Sequence, residues 1–556
     1  MYHSIKMCGI LCLISTSGPI DITEAKRCLE LINNRGPDAK SYKSIYLENK
    51  VEIFAGFAQL KVMEDSITSP QPYSDDMRTV MCNGEIYNYQ DLVEVNNFGD
   101  SMANKSDCGV LLPLYEKFGL FGVLDRIDAE HATVIYDKEM NCVHAVRDVY
   151  GIRPLYFGQN KKNGLIGFSS ELKAIHPLMD RIVQVKPNML YTVDLSRPTE
   201  FDNMVSINQY YSYPYAISEY IKDSRQTIMD NIRLLFTNAV AKRLNAKSSM
   251  GFLLSGGLDS SLIVSVASRI LGPENITCFT IGFEDSPDVK AAKQVAEFLG
   301  IENLHIVPFD PTMGFDAITD VIRTIETYDI TTIRASVPQY LIAKYIQNNM
   351  GSNNDNHIRV LLSGEGSDEL HGSYRYFRDA PNPREFREES IRLLEELYMF
   401  DNQRTDRTMA AGGLEVRIPF LDTEYVDYIL SLDPKLMMHN NDNNKIEKLL
   451  LRDAFQGYLP KDILHRSKEA FSDAVSSPSQ NWAEHIKTMA YMSYSDDDIM
   501  KSKLEHNNPE TIDSMFFRKI FDEIYPNRAN VLSHFWMPKF QKTRITDPSA
   551  RVLDCY

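Results

Sequence analysis

Apolar and polar positions change rhythm near the middle of the chain. Up to about residue 195 the apolar positions come in short runs or strict alternation, bounded by turn-forming residues: Cys8–Ile14, Val51–Phe57, Arg78–Met81, Ala132–Tyr136, Val143–Val146, Leu155–Phe157, Leu165–Phe168 and Met189–Val193. Such segments predict strands. Helical periodicity surfaces at Ile22–Asn33 and Asp107–Phe118, enough to cover sheets from outside. The expectation is an α+β sandwich domain over residues 8–195.

From Arg197 to about Tyr215 the chain is polar and aromatic without a long period, which predicts a linker. Strands and helices then alternate: a helix over Ser224–Leu244, a strand at Gly251–Leu254, a helix at Ser260–Leu271, a strand at Ile276–Ile281, a helix at Val289–Leu299 and a strand at His305–Pro308. A long helical region and a strand at Arg359–Leu362 follow. That alternation predicts an α/β domain over residues 212–480, with a parallel sheet covered by helices on both faces. Beyond Pro383 the pattern turns helical and charged, His439–Asn444 reads as a surface loop, and residues 481–556 read as a helical tail without an assigned role. No internal repeat is seen.

Composition narrows the class. A chain of 556 residues, 43% hydrophobic and 24% charged, has what globular domains need. A net charge of -17 opposes binding to a polyanion, so no nucleic-acid partner is expected. No apolar stretch reaches membrane-spanning length, so no membrane partner is expected either. The eight cysteines form no CxxC pair, which suits reduced thiols and a cytoplasmic location.

The strongest chemical signal is GFLLSGGLDSSLIVSVASRIL, in which an apolar strand enters Leu254, Ser255, Gly256, Gly257, Asp259 and Ser260 and an amphipathic helix follows. Small residues let backbone N–H groups approach an anion at the positive end of that helix, so the loop predicts a phosphate site. It lacks the GK[ST] ending of the common P-loop. A second loop, Ser363, Gly364, Glu365, Gly366, Ser367, Asp368, Glu369, leaves the strand at Arg359–Leu362. Both loops lie at the carboxyl ends of strands, where open α/β sheets bind ligands. Asp259 and Asp368 are then candidate Mg²⁺ ligands, because this hard cation is held by one or two carboxylates plus substrate phosphates. Arg334, in TYDITTIRAS, and Lys468, in RSKEAFSD, are candidate cations for a leaving pyrophosphate.

In the first half, Cys8 stands in MCGI at the start of the first strand. A cysteine at the amino terminus of a mature chain can use its own amine as base. In NGEIYN, Asn83 offers a side-chain amide and Gly84 a backbone N–H, two donors for an oxyanion. Asp107, in SDCGVLL, is a candidate partner for an amino-acid ammonium. Taken singly, Cys8 as a buried strand thiol and Asp107 as a helix-start residue are the commoner outcomes.

Together these motifs resemble the glutamine-hydrolysing asparagine synthetases. The first half is similar to the class II glutamine amidotransferase domain through MCGI, NRGPD (34–38), NGEIYN (83–88), SDC (106–108), RDVYGIRPLYFG (147–158) and SSELKAI (169–175). The second half resembles the ATP-pyrophosphatase-type synthetase domain through LLSGGLDSS (253–261), TIGFEDSPD (280–288), ETYDITTIRAS (326–336), LSGEGSDE (362–369), GLEVRIPFLD (413–422) and RSKEAFSD (466–473). The resemblance implies that Cys8 attacks glutamine, with Asn83 and Gly84 as oxyanion hole and Gln59, Leu60, Val62, Glu85 and Asp107 around the substrate. Ammonia then passes inside the protein. Leu254 to Ser260, Ile281, Ser363 and Gly364 contact ATP, Glu365 governs formation and capture of a β-aspartyl-adenylate, and Mg²⁺ assists. The implied products are asparagine, glutamate, AMP and diphosphate, and the resemblance admits a homodimer.

Two features depart from the family pattern. Met1–Lys6 precede Met7, so the Cys8 amine is free only in a chain that begins at Cys8. Gln59 stands where the family has an arginine for the glutamine carboxylate, with Lys61 two residues on as the candidate substitute. These features leave the reading of an ammonia-dependent synthetase with a vestigial first half, while a catalytically silent binding module would be favoured only if SGGLDSS or SGEGSDE were broken, and neither is. A β-lactam synthetase would lack the cysteine, and an RNA-thiolating enzyme fits neither the acidic charge nor the missing thiol pairs.

Overall fold

The computed structural model describes residues 8–60, 70–102, 105–213, 220–246, 249–283, 285–350, 357–439, 446–467, 481–541 and 545–548. They form two compact units, one chiefly from the chain up to Ser212 and the other chiefly from Tyr213 onwards.

The first unit is built on two antiparallel six-stranded sheets. Its strands are β1 (Cys8–Ser15), β2 (Ala39–Tyr46), β3 (Glu52–Gln59), β4 (Tyr73–Ser74), β5 (Arg78–Ile86), β6 (Ala129–Asp137), β7 (Cys142–Arg147), β8 (Tyr156–Asn160), β9 (Leu165–Ser169), β10 (Arg181–Gln184), β11 (Met189–Asp194) and β12 (Val205–Gln209). One sheet runs β10-β8-β9-β1-β3-β2 and the other β12-β11-β7-β6-β5-β4. Every residue of β1, CGILCLIS, is buried. That follows from its central place, with one face on the inter-sheet core of Ile10, Phe57, Val134 and Tyr191 and the other under helix Ile22–Glu30. The second sheet packs its outer face on helix Leu111–Leu124 through Val80, Ile135 and Leu114. The predicted α+β sandwich is what the chain forms.

The second unit carries β13 (Ser249–Leu253), β14 (Thr277–Gly282), β15 (Asn303–Pro308), β16 (Ile358–Leu362) and β17 (Glu415–Arg417), in the order β15-β14-β13-β16-β17. Pairing from β15 through β16 is parallel. Helices Leu258–Leu271, Pro287–Leu299 and Ile330–Met350 make the crossovers, and the chain beyond is helical.

Two elements differ from expectation. Val205–Gln209, inside the stretch read as a linker, is edge strand β12, and Ala39–Tyr46 is edge strand β2. The reason is exposure: most residues of both strands are exposed or half-buried, so no apolar alternation marks them.

Candidate active sites

In the first unit Cys8 is fully buried at the start of β1. Its backbone N–H donates to Asn83 Oδ1 at 3.0 Å, and its carbonyl accepts from Arg35 Nε at 2.9 Å. Arg35 is fixed in turn by Glu171 at 3.1 Å, with both side chains out of solvent. Antiparallel register places Gln59 opposite Cys8, and buried Leu60 follows it. Val62 and Lys61 lie outside the described residues.

Asn83, Gly84 and Glu85 are consecutive on β5. At position 84 only glycine fits, because a Cβ would stand 2.2 Å from the Glu130 carbonyl oxygen. Asn83 Nδ2 is buried and has no hydrogen-bond partner among the described residues. The same holds for Asp107 Oδ1, while its Oδ2 accepts the Ile86 N–H at 2.8 Å. Burial lifts the Asp107 carboxyl to about 6, against the hydrogen bonds from Ile86 and Cys108 that favour its ionised form. Buried polar atoms are almost always satisfied. A donor and a carboxylate oxygen that both lack partners, on one strand and the turn bonded to it, suit a ligand that brings an acceptor and a cation.

In the second unit β13 runs into Leu254, Ser255, Gly256 and Gly257 before helix Leu258–Leu271. Ser255 N donates to Ser260 Oγ at 3.2 Å, and Gly257 N donates to Ser255 Oγ at 3.3 Å, so serine hydroxyls hold the turn from within. Gly256 has φ 73°, and a Cβ there would lie 2.5 Å from Ala291 Cβ. Only glycine lets the loop close on helix Pro287–Leu299.

The second loop, after β16, meets the first. Ser367 Oγ donates to Asp259 Oδ1 at 2.7 Å. The Lys448 ammonium lies 2.7 Å from both Asp259 oxygens and 2.6 Å from Asp368 Oδ1. The two carboxylates expected to hold Mg²⁺ thus meet on a lysine ammonium, whose side chain is only 2% exposed. A cavity of about 250 Å³ opens over the loops, and Leu254, Ser255, Gly257, Asp259, Ser260, Ile281, Ser363, Gly364, Glu365 and Asp368 all stand on its wall. Glu365 Oε1 accepts from Thr405 Oγ1 at 2.7 Å and pairs with Arg404 at 3.3 Å, while buried Oε2 has no partner among the described residues. Glu369 is pushed up to about 8 by burial and by the charges of Asp401 and Asp368, and takes the Tyr374 hydroxyl at 2.6 Å.

Arg334 is not on this wall. Its guanidinium pairs with Asp547 at 2.8 Å and with Asp513, and it is 1% exposed. Lys468 lies outside the described residues. The structure gives contacts to three groups that were assigned no role in the sequence: Arg35, which stands within NRGPD, Arg404 and Lys448. Arg404 had only a weak signal: helix Asp401–Ala410, DNQRTDRTMA, is polar all round, but its near-complete burial, which demands internal partners, is seen only in the structure. Lys448 in NNKIEKLLLR had none.

Among known sequences, the profile described as glutamine amidotransferase domain matches residues 7–211, and that described as asparagine synthase matches residues 231–387 and 378–542. A probable asparagine synthetase [glutamine-hydrolyzing] of Acanthamoeba polyphaga mimivirus is 52% identical over 559 residues, covering 98% of this chain and 100% of the relative. The asparagine synthetases [glutamine-hydrolyzing] of Gallus gallus and Homo sapiens are 38% and 37% identical, each covering 99% of both chains.

Proposed function

The chain belongs to the glutamine-hydrolysing asparagine synthetases, and from that premise we propose how its own residues make asparagine from aspartate, glutamine and ATP. Residues 8–195 are the glutaminase and 212–480 the main body of the synthetase, with the stretch from residue 481 in the same compact unit as that body.

In the glutaminase, Cys8 Sγ attacks the side-chain amide carbon of glutamine. The amine freed in a chain that begins at Cys8 takes the thiol proton and returns it to the leaving ammonia. Asn83 Nδ2 and the Gly84 N–H receive the oxyanion, and the substrate ammonium rests on Asp107 Oδ1, with Glu85, Gln59, Leu60 and Val62 around it. Water then cleaves the thioester to give glutamate. Support comes from the two atoms of Asn83 and Asp107 that have no hydrogen-bond partner among the described residues.

In the synthetase, the Ser255–Ser260 turn receives the ATP phosphates, and Leu254, Ile281, Ser363 and Gly364 line the nucleotide. The aspartate side-chain carboxylate attacks the α-phosphorus, diphosphate leaves toward Lys448 and Lys468, and ammonia displaces AMP from the adenylate while Glu365 takes a proton. The donor set fits Mg²⁺, which Asp259 and Asp368 would hold and which would neutralise polyphosphate charge. Arg334 acts from behind the wall, through its helix.

The observation that carries the reading is the meeting of Asp259 and Asp368 on one cation beside the glycine-rich turn. It is tested by aspartate-dependent ATP–diphosphate exchange. Asp259→Ala and Asp368→Ala should each abolish exchange yet leave glutaminase turnover within a factor of about two; exchange near the parent rate would refute the assignment. No helix among the described residues is long and apolar enough to cross a membrane. A cytoplasmic homodimer is proposed on the family resemblance alone, and light scattering checks the dimer.

A further inference from the structure

The chain after Tyr525 turns back onto the synthetase cavity. The Ala529 carbonyl accepts the Tyr328 hydroxyl at 2.8 Å, and Phe535 stands edge-on to the Tyr328 ring at 5.7 Å. The Trp536 N–H donates to Asp329 Oδ1 at 2.8 Å. Asp329 is fully buried and also caps the first turn of helix Ile330–Met350, accepting the Thr332 N–H at 2.9 Å and hydroxyl at 2.7 Å. The backbone of the C-terminal segment is therefore fastened to the element that brings Thr331 and Thr332 to the cavity. The indole packs edge-to-face on Tyr374 at 5.6 Å and on Tyr376 at 6.3 Å, both on the same wall. Further on, Phe540 packs 6.1 Å from the Tyr376 and Phe377 rings, and Asp547 grips Arg334 and Lys487 at 2.8 Å each. Trp536 and Pro548 thus stand on the cavity wall, and described residues on either side of Trp536 are anchored to the same unit.

We propose that Trp536 is a specificity-determining residue for the amino-acid substrate of the synthetase, so that the C-terminal segment is part of the site. The partners of Trp536 argue for that end of the cavity. Its contacts run to Asp329, Tyr374 and Tyr376, and Tyr374 in turn holds Glu369 beside Asp368. An indole with its backbone and ring both held cannot swing aside, so it sets a fixed limit on the length of the bound dicarboxylate. Aspartate fits within that limit; glutamate, one methylene longer, does not. A fixed pocket discriminates one methylene by roughly 10–200-fold.

The inference rests on the second unit being the asparagine-forming site, and the test separates the two. In the parent, aspartate-dependent ATP–diphosphate exchange must be seen; its absence overturns the functional reading itself. Given exchange, Trp536→Ala should raise the KM for aspartate about tenfold, leave the KM for ATP within about twofold, and cut the preference for aspartate over glutamate at least tenfold. Trp536→Phe should restore most of that preference, which a role in folding alone would not predict. Binding gives an independent readout, because the chain has only two tryptophans. Aspartate added with a non-hydrolysable ATP analogue should change the indole emission of the parent and not of Trp536→Phe. Unchanged aspartate kinetics in Trp536→Ala, equal rises in both KM values, or the same emission change in parent and Trp536→Phe would each overturn the proposal.

Discussion

Asp107 presents one carboxylate oxygen to a buried place where no described group meets it, and its pKa reflects that. Burial raises it from 3.8 to about 6, so between those values the folded protein keeps a proton that the unfolded chain has released. Stability contributed by this group is present below 3.8 and is lost as pH rises toward about 6. With Asp107 in its proposed role, glutamine binding would run the opposite way, because only the ionised form would attract the substrate ammonium. We therefore expect kcat/KM for glutamine to climb with pH through a midpoint near 6, with kcat flatter because the bound ammonium keeps the carboxylate ionised. Glutaminase assays across the range should show this, and Asp107→Asn should erase the inflection along with most of the affinity. Gln59 is the second residue with a measurable consequence. A neutral amide in place of a charged bidentate partner costs about 1.5–3 kcal/mol, or roughly tenfold to a hundredfold and somewhat more in affinity. Gln59→Arg should accordingly lower the KM for glutamine; an unchanged KM would place the carboxylate elsewhere.

At the scale of elements, the junction of the loops after β13 and β16 depends on Lys448. Its side chain is 2% exposed and the carboxylates it neutralises are each 13% exposed. Removing it leaves two acidic groups facing one another in poor solvent, so Lys448→Met should cost about 3 kcal/mol, the low end of the range for a broken buried pair. Adding Mg²⁺ should return more of the melting temperature to this variant than to the parent, since a divalent ion can replace the lost charge. No response to Mg²⁺ in either protein in differential scanning would show that the carboxylates do not take the metal. This junction also shows what the sequence could reveal. Each loop was legible alone, because its chemistry lies within about seven consecutive residues between a strand and a helix. Lys448 was not, since it is 189 residues from Asp259 and 80 from Asp368, and nothing beside it marks it. Arg334 was legible as a cation but not as one held by Asp513 and Asp547, 179 and 213 residues away. Central strands such as β1 announced themselves by burial on both faces, whereas the edge strands β2 and β12 face water and leave no apolar trace.

The whole molecule divides its chemistry between the two compact units: Cys8, Asn83 and Asp107 belong to the first, Asp259, Asp368 and Lys448 to the second. No residue assigned to hydrolysing glutamine is also assigned to activating aspartate. Cys8→Ala should therefore abolish glutamine-dependent asparagine formation while synthesis from ammonium salts proceeds at close to the parent rate, because ammonia from solvent meets the same adenylate. The truncated side chain adds no bulk, and the backbone bonds from Cys8 to Asn83 and Arg35 do not need the thiol. A chain that keeps residues 1–7 should behave in the same way for a different reason: its thiol is present but the nitrogen of Cys8 is an amide and cannot take the proton. Removing those residues should restore glutamine use, and should do nothing for Cys8→Ala. Intact mass, glutaminase turnover and ammonia-dependent synthesis measured on the same preparations separate the outcomes. Loss of both activities in Cys8→Ala would mean that the two reactions are coupled through the fold. Glutaminase turnover in the uncut chain would mean that another group serves as base, and none in the processed parent would make this an ammonia-using synthetase.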